Sequence, residues 1–98
     1  MTANLNAYLD SFSEQAGINP DFQREFRKGW MRDYSPAYKS QVYYWRSQLI
    51  DLLWDVAHTH TPAQVKAVVP NPKDYGDGRS VVAYFYNTVN ALRHRLPQ

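Results

Sequence analysis

The sequence predicts an all-α fold, a compact bundle of four to five helices around a long central helix in a single domain spanning 1–98. Three observations carry that expectation. From Pro36 onward, Tyr38, Val42, Trp45, Leu49, Leu52 and Val56 recur at alternating four- and three-residue steps, which lays six large apolar side chains along one stripe of a helix. Helix-start signals recur as Asn19-Pro20, Ser35-Pro36 and Thr61-Pro62, each a capping residue followed by proline in the first turn. Finally, no run alternates apolar and polar residues strictly enough to mark a sheet.

The elements follow in order. Thr2 can cap a first helix whose apolar positions Leu5, Tyr8, Leu9, Phe12 and Ala16 keep helical spacing, and Gly17 suits the left-handed residue that ends it. Asn19 and Pro20 open a second pattern, with Phe22, Phe26 and Trp30 or Met31 facing inward. Gly29 weakens that pattern by about 1 kcal/mol relative to alanine, so it bends or stops near Asp33. The third helix runs from Pro36 to about His58 and is the longest, near 34 Å at about 1.5 Å per residue. Thr61, Pro62 and Gln64 spell a capping box that opens a brief helix through Val65, Val68 and Val69, ended by Pro70 and Pro72. Residues 71–78 read as an ordered loop. A last helix from about Ser80 places Val82, Phe85, Val89, Leu92 and Leu96 on one face and closes with Arg93, His94 and Arg95 against its negative end. Val81 to Tyr86 is rich in β-branched and aromatic residues, but its helical period continues for two more turns, so it belongs to that helix.

Composition narrows the function classes. The chain has 98 residues, 44% of them hydrophobic, and an aromatic share of 15% that includes eight tyrosines and three tryptophans. Aromatics fill a small core economically, and they also make adhesive surfaces, because tyrosine and tryptophan join an apolar body to a polar tip. The net charge of +2 is too small to argue for a polyanion partner. Its distribution is uneven: residues 1–20 carry Asp10 and Glu14 and no basic side chain, whereas residues 21–50 carry Arg24, Arg27, Lys28, Arg32, Lys39 and Arg46 against Asp21, Glu25 and Asp33. The absence of cysteine excludes disulfide scaffolds, thiolate zinc sites and cysteine nucleophiles. Met1 to Asn6 lacks the features of a leader, and no run approaches the roughly 18 apolar residues of a membrane span, so a cytoplasmic location is expected.

Reactive constellations are thin. His58, His60 and Asp55 suggest the beginnings of a metal or general-base site, but histidines two residues apart on a helix point in different directions, and no third ligand is specified. Asp74 and Asp77 lack the alternating oxygen ligands of a calcium loop. Ser80 has no nucleophile elbow around it, and Gly76-Asp77-Gly78 lacks the strand that a dinucleotide loop requires. No enzyme, no cofactor and no metal is therefore expected. Helix-turn-helix, tetratricopeptide, calcium-hand and zinc-finger signatures do not place their motifs here.

What remains is a surplus of aromatic and basic residues. Tyr43 and Tyr44 adjoin the stripe positions 42 and 45, and both cannot be buried against one partner helix, so at least one lies near the surface. The expected function is a non-enzymatic protein–protein interaction module, a small adaptor, regulator or inhibitor. Its candidate binding residues are Trp30, Tyr43, Tyr44, Arg46, Tyr75 and Arg79, since Tyr, Trp and Arg dominate interface hot spots. The partner is another protein or a second copy of the chain, and no membrane. The alternative is a nucleic-acid-binding module using the basic and aromatic segment 24–46, where phosphate contacts and base stacking would combine.

Overall fold

The computed structural model describes residues 2–18, 35–75 and 81–97. They form four α-helices and one 3₁₀ turn, with no strand among the described residues: α1 (Thr2–Gln15), α2 (Pro36–Thr59), α3 (Pro62–Lys66), the 3₁₀ turn (Pro72–Asp74) and α4 (Val81–His94). The second predicted helix, from Asn19 to Asp33, lies outside the described residues.

Local chemistry sets the boundaries. Ser35 is extended (φ −62°, ψ 152°) and its hydroxyl accepts from the Tyr38 amide, so α2 starts with one of its orphan N–H groups satisfied and Pro36 in the first turn. At the other end the His60 amide donates to the Val56 carbonyl at 2.8 Å, and the Tyr8 hydroxyl of α1 donates to the Ala57 carbonyl at 3.2 Å. Both oxygens belong to the last turn, where no backbone N–H within the helix is placed to reach them. The capping box of α3 forms as the sequence implies: the Gln64 amide donates to Thr61 Oγ1 at 3.2 Å, and the Thr61 amide donates to Gln64 Oε1 at 2.9 Å. Gly17 takes φ 74°, the left-handed conformation that ends α1. A Cβ at this position would meet the aliphatic stem of Lys66 at 3.7 Å, so the end of α1 lies beside α3.

One continuous core joins all four helices. Leu9, Phe12, Ala16 and Ile18 enter it from α1 and its exit, Val65 from α3, and Val81, Tyr84, Phe85, Val89 and Leu92 from α4. From α2 come Val42, Leu49, Leu53, Val56 and Ala57. The radius of gyration, 13.4 Å, is close to the value of about 13 Å expected for a globule of this length. The main packing is between α2 and α4, and α1 lies across α2 and α3. Contacts between α2 and α4 climb both helices together. Trp45 meets Tyr86, Gln48 meets Arg93, and His60 just beyond α2 meets Pro97 just beyond α4, so the two helices run in the same direction. In chain order α3 and the 3₁₀ turn lie between the end of α2 and the start of α4.

The core face of α2 is rotated from the predicted stripe. Val42, Leu49 and Val56 are buried as expected, but Leu53 is fully buried while Leu52, Trp45 and Tyr38 are half-buried on one flank. Alternating steps of four and three average 3.5 residues per turn, whereas a straight helix has 3.6. Positions seven apart therefore drift by about 20° each time. The same slow drift acts on Val42, Leu49 and Val56, which stay buried, so the shift toward Leu53 and Ala57 and away from Tyr38, Trp45 and Leu52 is set by where the neighbouring helices pack. Tyr8, expected on the inner face of α1, is 49% exposed and reaches the core only through its hydroxyl.

In α4 the expected Phe85, Val89 and Leu92 are buried, and Tyr84, absent from the predicted stripe, is fully buried beside them. Its ring meets those of Tyr75 and Phe85, at centroid separations of 5.4 and 5.7 Å. Thr88 is buried as well, and its hydroxyl donates to the Tyr84 carbonyl at 2.7 Å, which satisfies a polar group that would otherwise oppose burial. Ser13 is the opposite case: its hydroxyl is buried and has no hydrogen-bond partner among the described residues, a local cost that the surrounding apolar packing must offset.

Candidate interaction surface

The α2–α4 seam carries the arrangement that distinguishes this molecule. Because α2 and α4 run the same way and pack together, residues just off their buried faces come together along the seam. Trp45, on the flank of α2 nearest α4, stands at 4.9 Å from Tyr86 of α4 and 5.1 Å from Tyr44 of its own helix, with interplanar angles of 87° in both pairs. Edge-to-face contact sets the positive ring edge against the negative ring face, worth about 0.5–1.5 kcal/mol per pair beyond area burial. The central indole is half-buried, whereas Tyr44 and Tyr86 are 56% and 45% exposed. Three rings thus form a fixed ridge whose outer members stand in water. Just beyond it, Arg93 Nη2 donates to Gln48 Oε1 at 3.3 Å and pins the two helices at that level.

The other predicted binding residues distribute differently. Tyr43 is exposed, but lies about 100° around α2 from Tyr44, on the flank that also carries the half-buried Ile50 and Trp54. Arg46 is half-buried on that side and engaged within the chain. Tyr75 is half-buried against Tyr84, and its hydroxyl accepts from Asn87 Nδ2 at 3.0 Å, which places it on the opposite flank of α4 from Tyr86. Trp30 and Arg79 lie outside the described residues, as does most of the basic part of segment 24–46. Of that segment's remaining basic side chains, Lys39 and Arg46 are both half-buried.

Two members of the ridge are not among the predicted binding residues: Trp45, which the sequence assigns to the inward stripe, and Tyr86. The signal was available: Tyr86 does not belong to the stripe of Val82, Phe85, Val89 and Leu92, and a large aromatic off the buried face of an amphipathic helix projects into solvent or a partner.

No family model matches the chain. Neither curated proteins nor solved structures show a significant match to it.

The two histidines at the end of α2 make contacts within the fold. His60 Nε2 donates to the Pro97 carbonyl at 2.6 Å and Nδ1 faces Thr59 Oγ1 at 2.8 Å, so this imidazole ties the end of α2 to the residues after α4. His58 Nδ1 instead meets the Trp54 carbonyl of its own helix. The two rings therefore have separate partners, and among the described residues no three His, Asp or Glu side chains gather as metal ligands. Surface grooves of about 510, 420 and 310 Å³ border Lys66, Arg95 and His60 respectively. None of their linings combines a nucleophile with a base and an orienting acid. Among the described residues no helix is long and apolar enough to cross a membrane.

Proposed function

We propose that this chain is a non-enzymatic protein–protein interaction module, a small cytoplasmic adaptor, regulator or inhibitor that acts by covering a partner's surface. Its contact face is the ridge of Tyr44, Trp45 and Tyr86. The observation that carries the reading is the exposure of two tyrosines whose rings are locked edge-to-face on a half-buried tryptophan. Exposed aromatic side chains are ordinary when scattered, but a contiguous, rigid group loses little conformational entropy when a partner covers it. Tyrosine and tryptophan are also the residue types that dominate interface energies.

The test is affinity capture from host extract by immobilised wild type, Tyr44→Ala/Tyr86→Ala and, as a control remote from the seam, Tyr8→Ala. The double variant is expected to lose at least about ten-fold in captured partner, since one hot-spot residue contributes about 2 kcal/mol or more. Tyr8→Ala is expected to capture normally. Equal capture by the folded double variant would remove the ridge from the function.

A further inference from the structure

We infer that the occupant of this face is a second copy of the same chain, docked in a parallel two-fold arrangement. The inference rests on the interaction-module reading above and names its partner. It follows from how charge and aromatics are laid out on two helices that run the same way.

The outer surface of α2 carries Tyr44, then Gln48, then the exposed carboxylates Asp51 and Asp55. The outer surface of α4 carries Tyr86 and then the exposed Arg93. The levels correspond. Trp45 and Tyr86 are in ring contact, and Gln48 and Arg93 are hydrogen-bonded. Asp51 lies one turn beyond Gln48, about 4.5 Å further along the axis, and Asp55 about 6 Å beyond that. Each helix of the seam therefore reads aromatic and then charged in the same direction, α2 negative and α4 positive. Among the described residues no ion pair engages Asp51, Asp55 or Arg93.

A face of this kind complements itself under one operation. Rotation by 180° about an axis lying in the contact plane, parallel to the helices, places α2 of one copy over α4 of the other at the same level. Tyr44 and Trp45 then meet Tyr86 of the second copy, and Asp51 and Asp55 meet Arg93 of the second copy. Both sets of contacts occur twice, as an isologous interface requires. An antiparallel mate would bring the aromatics of each copy against the charges of the other. The ion pairs thus select the register, and the ridge supplies the apolar burial.

The size of the face sets the strength. The 14 residues of α4 give a strip about 21 Å long, and two helices side by side make it about 20 Å wide, a small footprint for a stable pair. Association is accordingly expected in the micromolar range.

The test is sedimentation equilibrium from about 5 to 500 µM on four samples, a span that brackets micromolar affinities: wild type, Asp51→Arg/Asp55→Arg, Arg93→Glu, and an equimolar mixture of the two variants. Wild type is expected to dimerise, less tightly at high salt because the paired charges are screened. Each variant alone opposes like charges at both sites and is expected to associate at least ten-fold more weakly. In the mixture both sites regain opposite charges, and a 1:1 heterodimer is expected to form. A monomeric wild type at every concentration, variants that dimerise like wild type, or a mixture that stays monomeric would overturn the inference. Loss of salt dependence in wild type would do so without any variant. A monomeric wild type whose capture of another protein still depends on Tyr44 and Tyr86 would sink the second copy and leave the interaction-module reading standing.

Discussion

Tyr84→Ala is expected to lower stability by about 3–5 kcal/mol, the usual cost of emptying a large aromatic site in a closed core. Tyr84 is fully buried and touches both Tyr75 and Phe85, so its ring fixes α4 to the 3₁₀ turn as well as filling the centre. Domains are stable by only about 5–15 kcal/mol in total. For a chain of this size the loss corresponds to a fall of roughly 15–30 °C in the melting temperature, enough to leave a substantial unfolded population near physiological temperature. Thermal unfolding followed by circular dichroism measures it. A fall of less than about 5 °C would mean that Tyr84 is not enclosed as described.

The second large effect separates two neighbouring leucines. Leu53 is fully buried and Leu52 half-buried. Leu53→Ala is expected to cost about 2–5 kcal/mol, because transfer and cavity terms add. Leu52→Ala is expected to cost about 1 kcal/mol, because the side chain keeps contact with water and its loss leaves an open dent. Chemical denaturation of the two variants gives the comparison directly. If Leu52→Ala proved the more damaging, the face of α2 turned to the core would be the 3.5-residue stripe and not the one found.

That pair also shows what the amino-acid order conveys and where it stops. The start of α2 at Ser35-Pro36, the capping box at Thr61 and the left-handed Gly17 were legible because each depends on a few adjacent residues. The helical class was legible for the same reason, since periodicity is local. The rotation of α2 was not: which flank of a broad apolar helix is covered depends on where its neighbours pack, and here α4 and α1 divide it between them. Tyr84 was missed on the same grounds. Tyr75, only nine residues before Tyr84 but outside the helix, sets its ring against the flank on which Tyr84 lies, and helical periodicity does not specify that contact.

The candidate site was legible in half. Tyr43 and Tyr44 crowd the positions beside a full stripe, and both are exposed. Their grouping is another matter, since Tyr44 joins the seam through Trp45 while Tyr43 points to the other flank. Tyr75 shows that an aromatic in a loop is as easily recruited to cover a core as to meet a partner, because its half-buried ring and hydrogen-bonded hydroxyl are both occupied within the chain. Only the contact between α2 and α4 makes Tyr44, Trp45 and Tyr86 a single feature. No spacing rule links residues some forty positions apart.

The central claim is that this aromatic group forms an outer face of the folded protein and not part of its core. Nitration of native protein by tetranitromethane, at a dilution below self-association and with each tyrosine mapped by peptide mass spectrometry, tests it most directly. Tyr44 and Tyr86 are expected to react readily, along with Tyr8 and Tyr43, while Tyr84 stays unmodified until the chain is denatured. Protection of Tyr44 and Tyr86 to the degree of Tyr84 in the dilute monomer would contradict the account.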